Sequence, residues 1–140
     1  MRDILLLQLG RLGDLVQTLP LMRRLREEHP GCRITVVCLE TFHGILAESG
    51  GWDTAVPVAL ADVDALADPA VAAVFPDLAP WNRFPILAGE FDLLVNLTHD
   101  LGSAVLAERI RAARKLGRLP APQGELRLKG SWSKYPFSMV

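Results

Sequence analysis

The chain has 140 residues, 50% of them hydrophobic, which predicts one domain with a substantial core rather than two domains. Its 15 basic and 16 acidic side chains give a formal net charge of −1, which argues against a nucleic-acid partner. Cys32 and Cys38 stand outside any Cys/His cluster, so we expect reduced thiols rather than a disulfide or a zinc site. Neither a signal peptide nor an apolar run of membrane length is visible, and we expect a cytoplasmic protein.

The first two elements follow from a change of hydrophobic period. Residues 4–9 form a short continuous apolar run, typical of a strand that is covered on both faces. From Asp14 the apolar residues recur at helical spacing up to Pro30, which ends the helix. Pro20 would lie well inside this helix, so the helix either kinks there or restarts near Thr18.

Strands and helices alternate along the rest of the chain. We predict further strands at residues 33–39, 55–58, 91–97 and 115–119. We predict helices between Thr41 and Gly50, within 62–74, and over 103–113 with Ser103 as its cap. Pro57 places its strand near an edge of the sheet, because proline lacks a donor for the ladder. This alternation implies right-handed βαβ units, so the predicted fold class is α/β, a Rossmann-like parallel sheet with helices on both faces.

The end of the chain differs in composition from the rest. We assign residues 1–119 to the Rossmann-like domain. Residues 120–140 mix Pro, Gly, Lys, Ser and aromatic residues without periodicity. They are therefore predicted to be an irregular tail or the start of an interdomain linker.

The loop after the first predicted strand is one candidate ligand site, because open α/β sheets bind ligands beyond the carboxyl ends of their strands. Gly10 and Gly13 allow close approach of the backbone, and Arg11 offers a positive charge near a helix N-terminus. The spacing fits neither the dinucleotide fingerprint nor the Walker A loop. Asp14 is most simply a helix N-cap that pairs with Gln17, although a restart of the helix near Thr18 would release it for a functional role.

The loop after strand 91–97 is the second candidate site. Thr98, His99 and Asp100 can hydrogen-bond a polyhydroxylated ligand, and a histidine can move protons near neutral pH. An ordinary turn before a helix explains these residues equally well. The stretch 96–98 also matches the glycosylation triplet, but it ends a predicted buried strand and is interpreted as a chance match.

A run of basic residues follows this loop, and two interpretations stay open. A solvated helix end is favoured, because cations there interact well with the helix dipole. The alternative is attraction to an anionic membrane surface or to a phosphorylated acceptor. The residues are Arg109, Arg111, Arg114, Lys115 and Arg118.

Two stretches resemble glycosyltransferase family 9, the ADP-heptose:lipopolysaccharide heptosyltransferases. The first is LLLQLGRLGDLVQTLPLMRRLREEHPGCRITVV at 5–37, with its Gly-Asp pair followed by Thr-Leu-Pro. The second is FDLLVNLTHDLGSAVLAERIRAARKLG at 91–117. The resemblance implies a GT-B enzyme with two Rossmann-like domains, of which this chain is the N-terminal half. The C-terminal domain, which holds the donor, is expected to be absent from these residues.

The resemblance also implies roles for individual residues and partners. Asp14 would be the general base of an inverting transfer of heptose from ADP-heptose to the lipopolysaccharide core. No metal and no cofactor are implied, and the partners are the core acceptor and the ADP-sugar donor. Peripheral association with the inner face of the inner membrane is a further expectation. The residues implied on the acceptor side are Gly10, Arg11, Gly13, Thr98 and His99.

One alternative to a transferase stays open from the residues alone. It is a stand-alone Rossmann-like module without catalysis, in which the turn at Gly10–Gly13 cradles a nucleotide or a phosphate.

Overall fold

One mixed β-sheet with helices on both faces forms the core of the computed structural model, which describes residues 3–10, 12–49, 51–75, 81–98, 100–120 and 126–129. The strands within these residues are β1 Asp3–Leu7, β2 Arg33–Leu39, β3 Thr54–Val58, β4 Glu90–Asn96, β5 Arg111–Pro120 and β6 Leu126–Lys129. The α-helices within them are α1 Leu12–Glu28, α2 Glu40–Ser49, α3 Leu60–Ala65, α4 Pro69–Ala72 and α5 Leu101–Arg109.

The order of the strands creates a crevice at the centre of the sheet. The order is β3-β2-β1-β4-β5-β6, with β1 to β5 parallel and β6 antiparallel to β5. The chain moves from β1 outward to β3, and then crosses back to place β4 on the other side of β1. The carboxyl ends of β1 and β4 therefore flank the point where ligands bind in open α/β sheets. The predicted fold class is confirmed, as is the edge position of β3.

The two faces of the sheet carry separate hydrophobic clusters. Successive residues of a strand point to opposite faces, so Ile4 and Leu6 join one cluster while Leu5 and Leu7 join the other. The side chains that α1 buries on the first face are Leu15, Met22 and Leu25. Those that α3 and α5 bury on the second face are Val63, Leu106 and Ala107. Helices thus cover the sheet on both faces.

Helix α1 runs without a break through Pro20, so the alternative of a restart near Thr18 is wrong. A proline at this position removes the hydrogen bond to the carbonyl of Val16. Val16 is 56% exposed and Pro20 is also exposed, so that carbonyl lies on the face of the helix that water can reach. The missing bond is therefore tolerated.

The second half of the sequence needs three corrections. Helix α5 ends at Arg109 rather than at residue 113, because Ile110 takes an extended conformation and is fully buried. Its N-cap is Asp100, whose carboxylate accepts from the Ser103 N–H at 2.7 Å, and not Ser103 itself. Much of the basic run therefore lies on β5, where Lys115 Nζ donates to the Glu108 carbonyl at 2.7 Å.

The expectation of an irregular tail from residue 120 onward is wrong for one segment. Strand β6, Leu126–Lys129, pairs with the end of β5, from Gly117 to Pro120. The alternation of leucine with a basic residue in this short stretch is the period-2 pattern of a strand. The division of the chain at residues 119 and 120 stays a prediction.

Both cysteines are free thiols, and both are buried. Burial raises the pKa of the Cys38 thiol to about 11, so it is protonated at neutral pH. A protonated, inaccessible thiol is a poor nucleophile, and Cys38 is therefore a structural residue.

Asp53 fastens the start of β3 to β2 and to the end of α1. Its N–H donates to the Ile34 carbonyl at 2.8 Å, and its carboxylate accepts from the Ile34 N–H at 2.8 Å. The same carboxylate oxygen pairs with Arg26 at 2.9 Å. The hydrogen bond from Ile34, together with Arg26, lowers the pKa of Asp53 below its ordinary value.

We expect Asp53→Asn to destabilise the domain at neutral pH and to have little effect in acid. Because the folded-state pKa is lowered, the contribution is present above the ordinary carboxyl pKa near 4 and is lost as the pH falls through the folded-state value. The side chain is partly exposed, so the loss at pH 7 is at most about 1 kcal/mol. Urea unfolding at pH 7 and pH 3 measures it. Glu28→Gln, which breaks the exposed pair with Arg24, is the control with a smaller expected effect.

Candidate functional site

The crevice between β1 and β4 is closed at its base by bonds between the two strand ends. The Leu97 N–H donates to the Leu7 carbonyl at 2.9 Å, which continues the ladder one residue beyond β4. One step further, the Leu9 N–H donates to the hydroxyl oxygen of Thr98 at 2.9 Å. The loops that begin α1 and α5 are thereby fixed side by side, and both helix N-termini are at this edge of the sheet.

Asp14 lies directly against the Gly10 turn. A Cβ at Gly10 would lie 2.5 Å from Asp14 Oδ2, so the carboxylate occupies the space that any larger residue would need. Asp14 is the third residue of α1 and is half-buried, so its interpretation as the N-cap is wrong. A carboxylate in the first turn of a helix is nevertheless favoured by the helix dipole.

The buried side-chain amide of Gln8 hydrogen-bonds to the Gly10 turn. Gln8 is 6% exposed; its Nε2 donates to Thr18 Oγ1 at 3.1 Å, and its Oε1 accepts from the Gly10 N–H at 3.2 Å. Thr18 Oγ1 in turn donates to the Asp14 carbonyl at 2.9 Å. The sequence interpretation missed Gln8 and Thr18. Their signal was a glutamine within an otherwise apolar strand run.

A second buried amide organises the loop after β4. Asn96 is 2% exposed; its Oδ1 accepts from the Thr98 N–H at 3.0 Å, and its Nδ2 donates to Ser103 Oγ at 3.4 Å. Burial of Asn96 supports the interpretation of the glycosylation triplet as a chance match. The amide instead connects β4 to the first turn of α5, which Asp100 caps.

The structure brings three of the predicted site residues to the crevice. Gly10 lies against Asp14, and Thr98 accepts from the N–H of Leu9, the residue before Gly10. Gly13 is exposed in the first turn of α1, with no atom within 4 Å of the place where its Cβ would be. Arg11 and His99 lie outside the described residues. Asp14 places a half-buried carboxylate beside the Gly10 turn, and a carboxylate can accept a proton from a hydroxyl within hydrogen-bond reach.

The described residues hold no group of three or more His, Cys, Asp and Glu side chains that could bind a metal ion. No helix in the same part of the chain is long and apolar enough to cross a membrane.

Each of the two helix N-termini at the crevice already has a carboxylate, from Asp14 on α1 and from Asp100 on α5.

Comparison with solved structures identifies proteins that share the fold of this chain. A glycosyl transferase family 9 structure from Veillonella parvula matches with a TM-score of 0.64 and 24% identity, over 83% of this chain and 31% of that one. The chain has the fold of part of a glycosyltransferase. E. coli heptosyltransferase WaaC with ADP matches with a TM-score of 0.61 and 20% identity, over 82% of this chain and 36% of that one. E. coli ADP-heptose lps heptosyltransferase II matches with a TM-score of 0.59 and 17% identity, over 84% and 30%.

These matches confirm the predicted resemblance at the level of the fold. The chain spans about a third of the length of the solved structures that it matches. No protein-family model matches the chain, and no curated protein matches it. The Rossmann-like sheet is therefore shared with family 9 glycosyltransferases, of which this chain covers one part.

Proposed function

We propose that the chain is the acceptor-side, N-terminal domain of a family 9 glycosyltransferase that transfers heptose from ADP-heptose to the lipopolysaccharide core. The observation that carries the proposal is the position of Asp14. Its carboxylate lies against Gly10 at the topological crevice, in a domain with the fold of these enzymes. This edge of the sheet is where an acceptor would meet a donor held by a second domain.

In the proposed reaction Asp14 is the general base. Its carboxylate takes the proton of an acceptor hydroxyl as that oxygen attacks the anomeric carbon of the donor. The new bond forms from the acceptor oxygen to the anomeric carbon while the bond from that carbon to ADP breaks, and ADP leaves with the electron pair. Direct displacement of this kind inverts the anomeric centre. One carboxylate is sufficient, and the proposal includes no metal or cofactor.

The donor is proposed to bind mainly to a second Rossmann-like domain. Two of the matched structures are described as heptosyltransferase WaaC with ADP and with ADP-2-deoxy-2-fluoro heptose, which supports a nucleotide-sugar donor. Residues 1–140 contain one such domain, so we expect this polypeptide alone to have no transferase turnover.

The acceptor places the reaction at a membrane surface. We propose a cytoplasmic protein that acts at the inner face of the inner membrane, with lipopolysaccharide core as its acceptor. The exposed cations Arg111 and Arg114 on β5 would favour peripheral association with anionic lipid.

The alternative of a phosphate-binding module is less well supported. A helix N-terminus binds an anion when its N–H groups and dipole are open to it. Here Asp14 is in the first turn of α1 and Asp100 caps α5, so negative charge is already present at both N-termini.

Titration of the 140-residue chain separates the two functions. We expect fragments of the heptose-free core acceptor to shift the amide NMR signals of Gly10, Gly13 and Thr98, with ADP binding at least about tenfold more weakly. The signal of Gly44 on α2 is the control that should stay unchanged. Tight binding of ADP at the Gly10 turn, with no effect of the core fragments, would favour the module.

A further inference from the structure

Gln8 is a buried side chain that links two parts of the candidate site. It follows β1 directly, and its amide uses both of its hydrogen-bonding ends. The donor end reaches Thr18 Oγ1 on α1 at 3.1 Å, and the acceptor end holds the Gly10 N–H at 3.2 Å. Thr18 continues the link to the Asp14 carbonyl at 2.9 Å. A single amide therefore couples the Gly10 turn to the first turns of α1.

Gly10 is where this link meets the proposed base. A Cβ there would lie 2.5 Å from Asp14 Oδ2 and 2.9 Å from Gln8 Oε1. The carboxylate and the amide therefore flank the same side of Gly10. A movement of the turn relative to α1 changes the space in which the Asp14 carboxylate lies.

We infer that Gln8 is a positioning residue for Asp14, which keeps the Gly10 turn fixed against α1 and so holds the carboxylate in one place. The inference rests on the proposed function of Asp14 as the general base. An apolar residue of the same size would leave the Gly10 N–H without its buried acceptor, and the turn would move to find another. A displacement of about 1 Å at a reacting group can lower turnover about 100-fold.

The link itself can be tested in the 140-residue chain by NMR. In Gln8→Met we expect the Gly10 amide to exchange with solvent about tenfold faster than in the wild type. We also expect the χ1 couplings of Asp14 to change from those of one rotamer toward averaged values. Thr35→Val is the control, because Thr35 is also buried on a central strand but has no described bond to the crevice. Unchanged Asp14 couplings in a folded Gln8→Met chain would overturn the inference without any measurement of activity.

Turnover of a complete glycosyltransferase that contains this chain tests the consequence. We expect Gln8→Met to lower kcat about 100-fold with little change in the acceptor KM, while Thr35→Val stays within about twofold. Thr18→Val removes the hydroxyl that accepts from Gln8 and donates to the Asp14 carbonyl. It replaces Gln8→Met in this test if Gln8→Met does not fold. If Gln8→Met and Thr18→Val have normal kcat while Asp14→Asn is inactive, the positioning role of Gln8 is refuted and the proposed function is not. Normal kcat in Asp14→Asn refutes the proposed function.

Discussion

Asp14→Asn is expected to leave the domain folded and to lower the turnover of a complete glycosyltransferase containing this chain by about 100-fold to 10,000-fold. Asparagine has nearly the shape of aspartate and fits the same space beside Gly10. It cannot accept the acceptor's proton at neutral pH, because an amide is not a base in this range. The measurement is ADP release with ADP-heptose and core acceptor, at saturating concentrations of both.

Asp62→Asn is the matched control for this substitution. Asp62 is also an acidic residue in the first turn of a helix, but that helix is α3, which follows the edge strand β3 rather than β1 or β4. A loss caused by the helix dipole or by general destabilisation would affect both variants alike. Wild-type turnover in Asp14→Asn would mean that this carboxylate is structural and is not the general base.

The position of the candidate site could be predicted from the sequence, but the way it is held could not. Gly10 and Asp14 are recognisable because a change of period from strand to helix locates the turn, and the α/β pattern places that turn at the ligand edge. Gln8 and Asn96 form bonds to residues that only folding brings near. A lone amide in an apolar run indicates a buried hydrogen bond without identifying its partner.

The errors at helix ends have a similar cause. Pro20 was expected to kink α1 or to make it restart near Thr18, but the helix is continuous because burial of one face outweighs a single missing bond on its exposed face. Arg111 was expected on a helix because the helix from Ser103 was predicted to continue to residue 113, with basic residues near its end. Burial of Ile110 and pairing of Arg111 with Glu90 of β4 start a strand there instead. Tertiary contacts determine the secondary structure at Pro20 and Arg111, and local sequence patterns do not reveal those contacts.

Among substitutions that add a single methyl group, we expect Gly117→Ala to destabilise the domain most. The φ of Gly117 is +98°, a conformation that costs other residues about 1–2 kcal/mol. A Cβ would also collide with the backbone of Asn96, the residue with which Gly117 pairs on β4. Backbone atoms in the centre of a sheet cannot move aside as a flexible side chain can. We therefore expect Gly117→Ala to lower the free energy of unfolding by about 3 kcal/mol.

Chemical denaturation of Gly117→Ala beside Gly44→Ala separates this effect from the general effect of removing a glycine. Gly44 lies inside α2 with no atom within 4 Å of its missing Cβ, so alanine there should stabilise the domain by about 0.5–1 kcal/mol. Opposite signs for the two variants follow from the strain and collision at Gly117. Because Asn96 holds both Thr98 and Ser103, Gly117→Ala should also shift the amide signals of these two residues. A stable Gly117→Ala chain with unmoved signals would mean that β5 leaves room for a side chain beside Asn96.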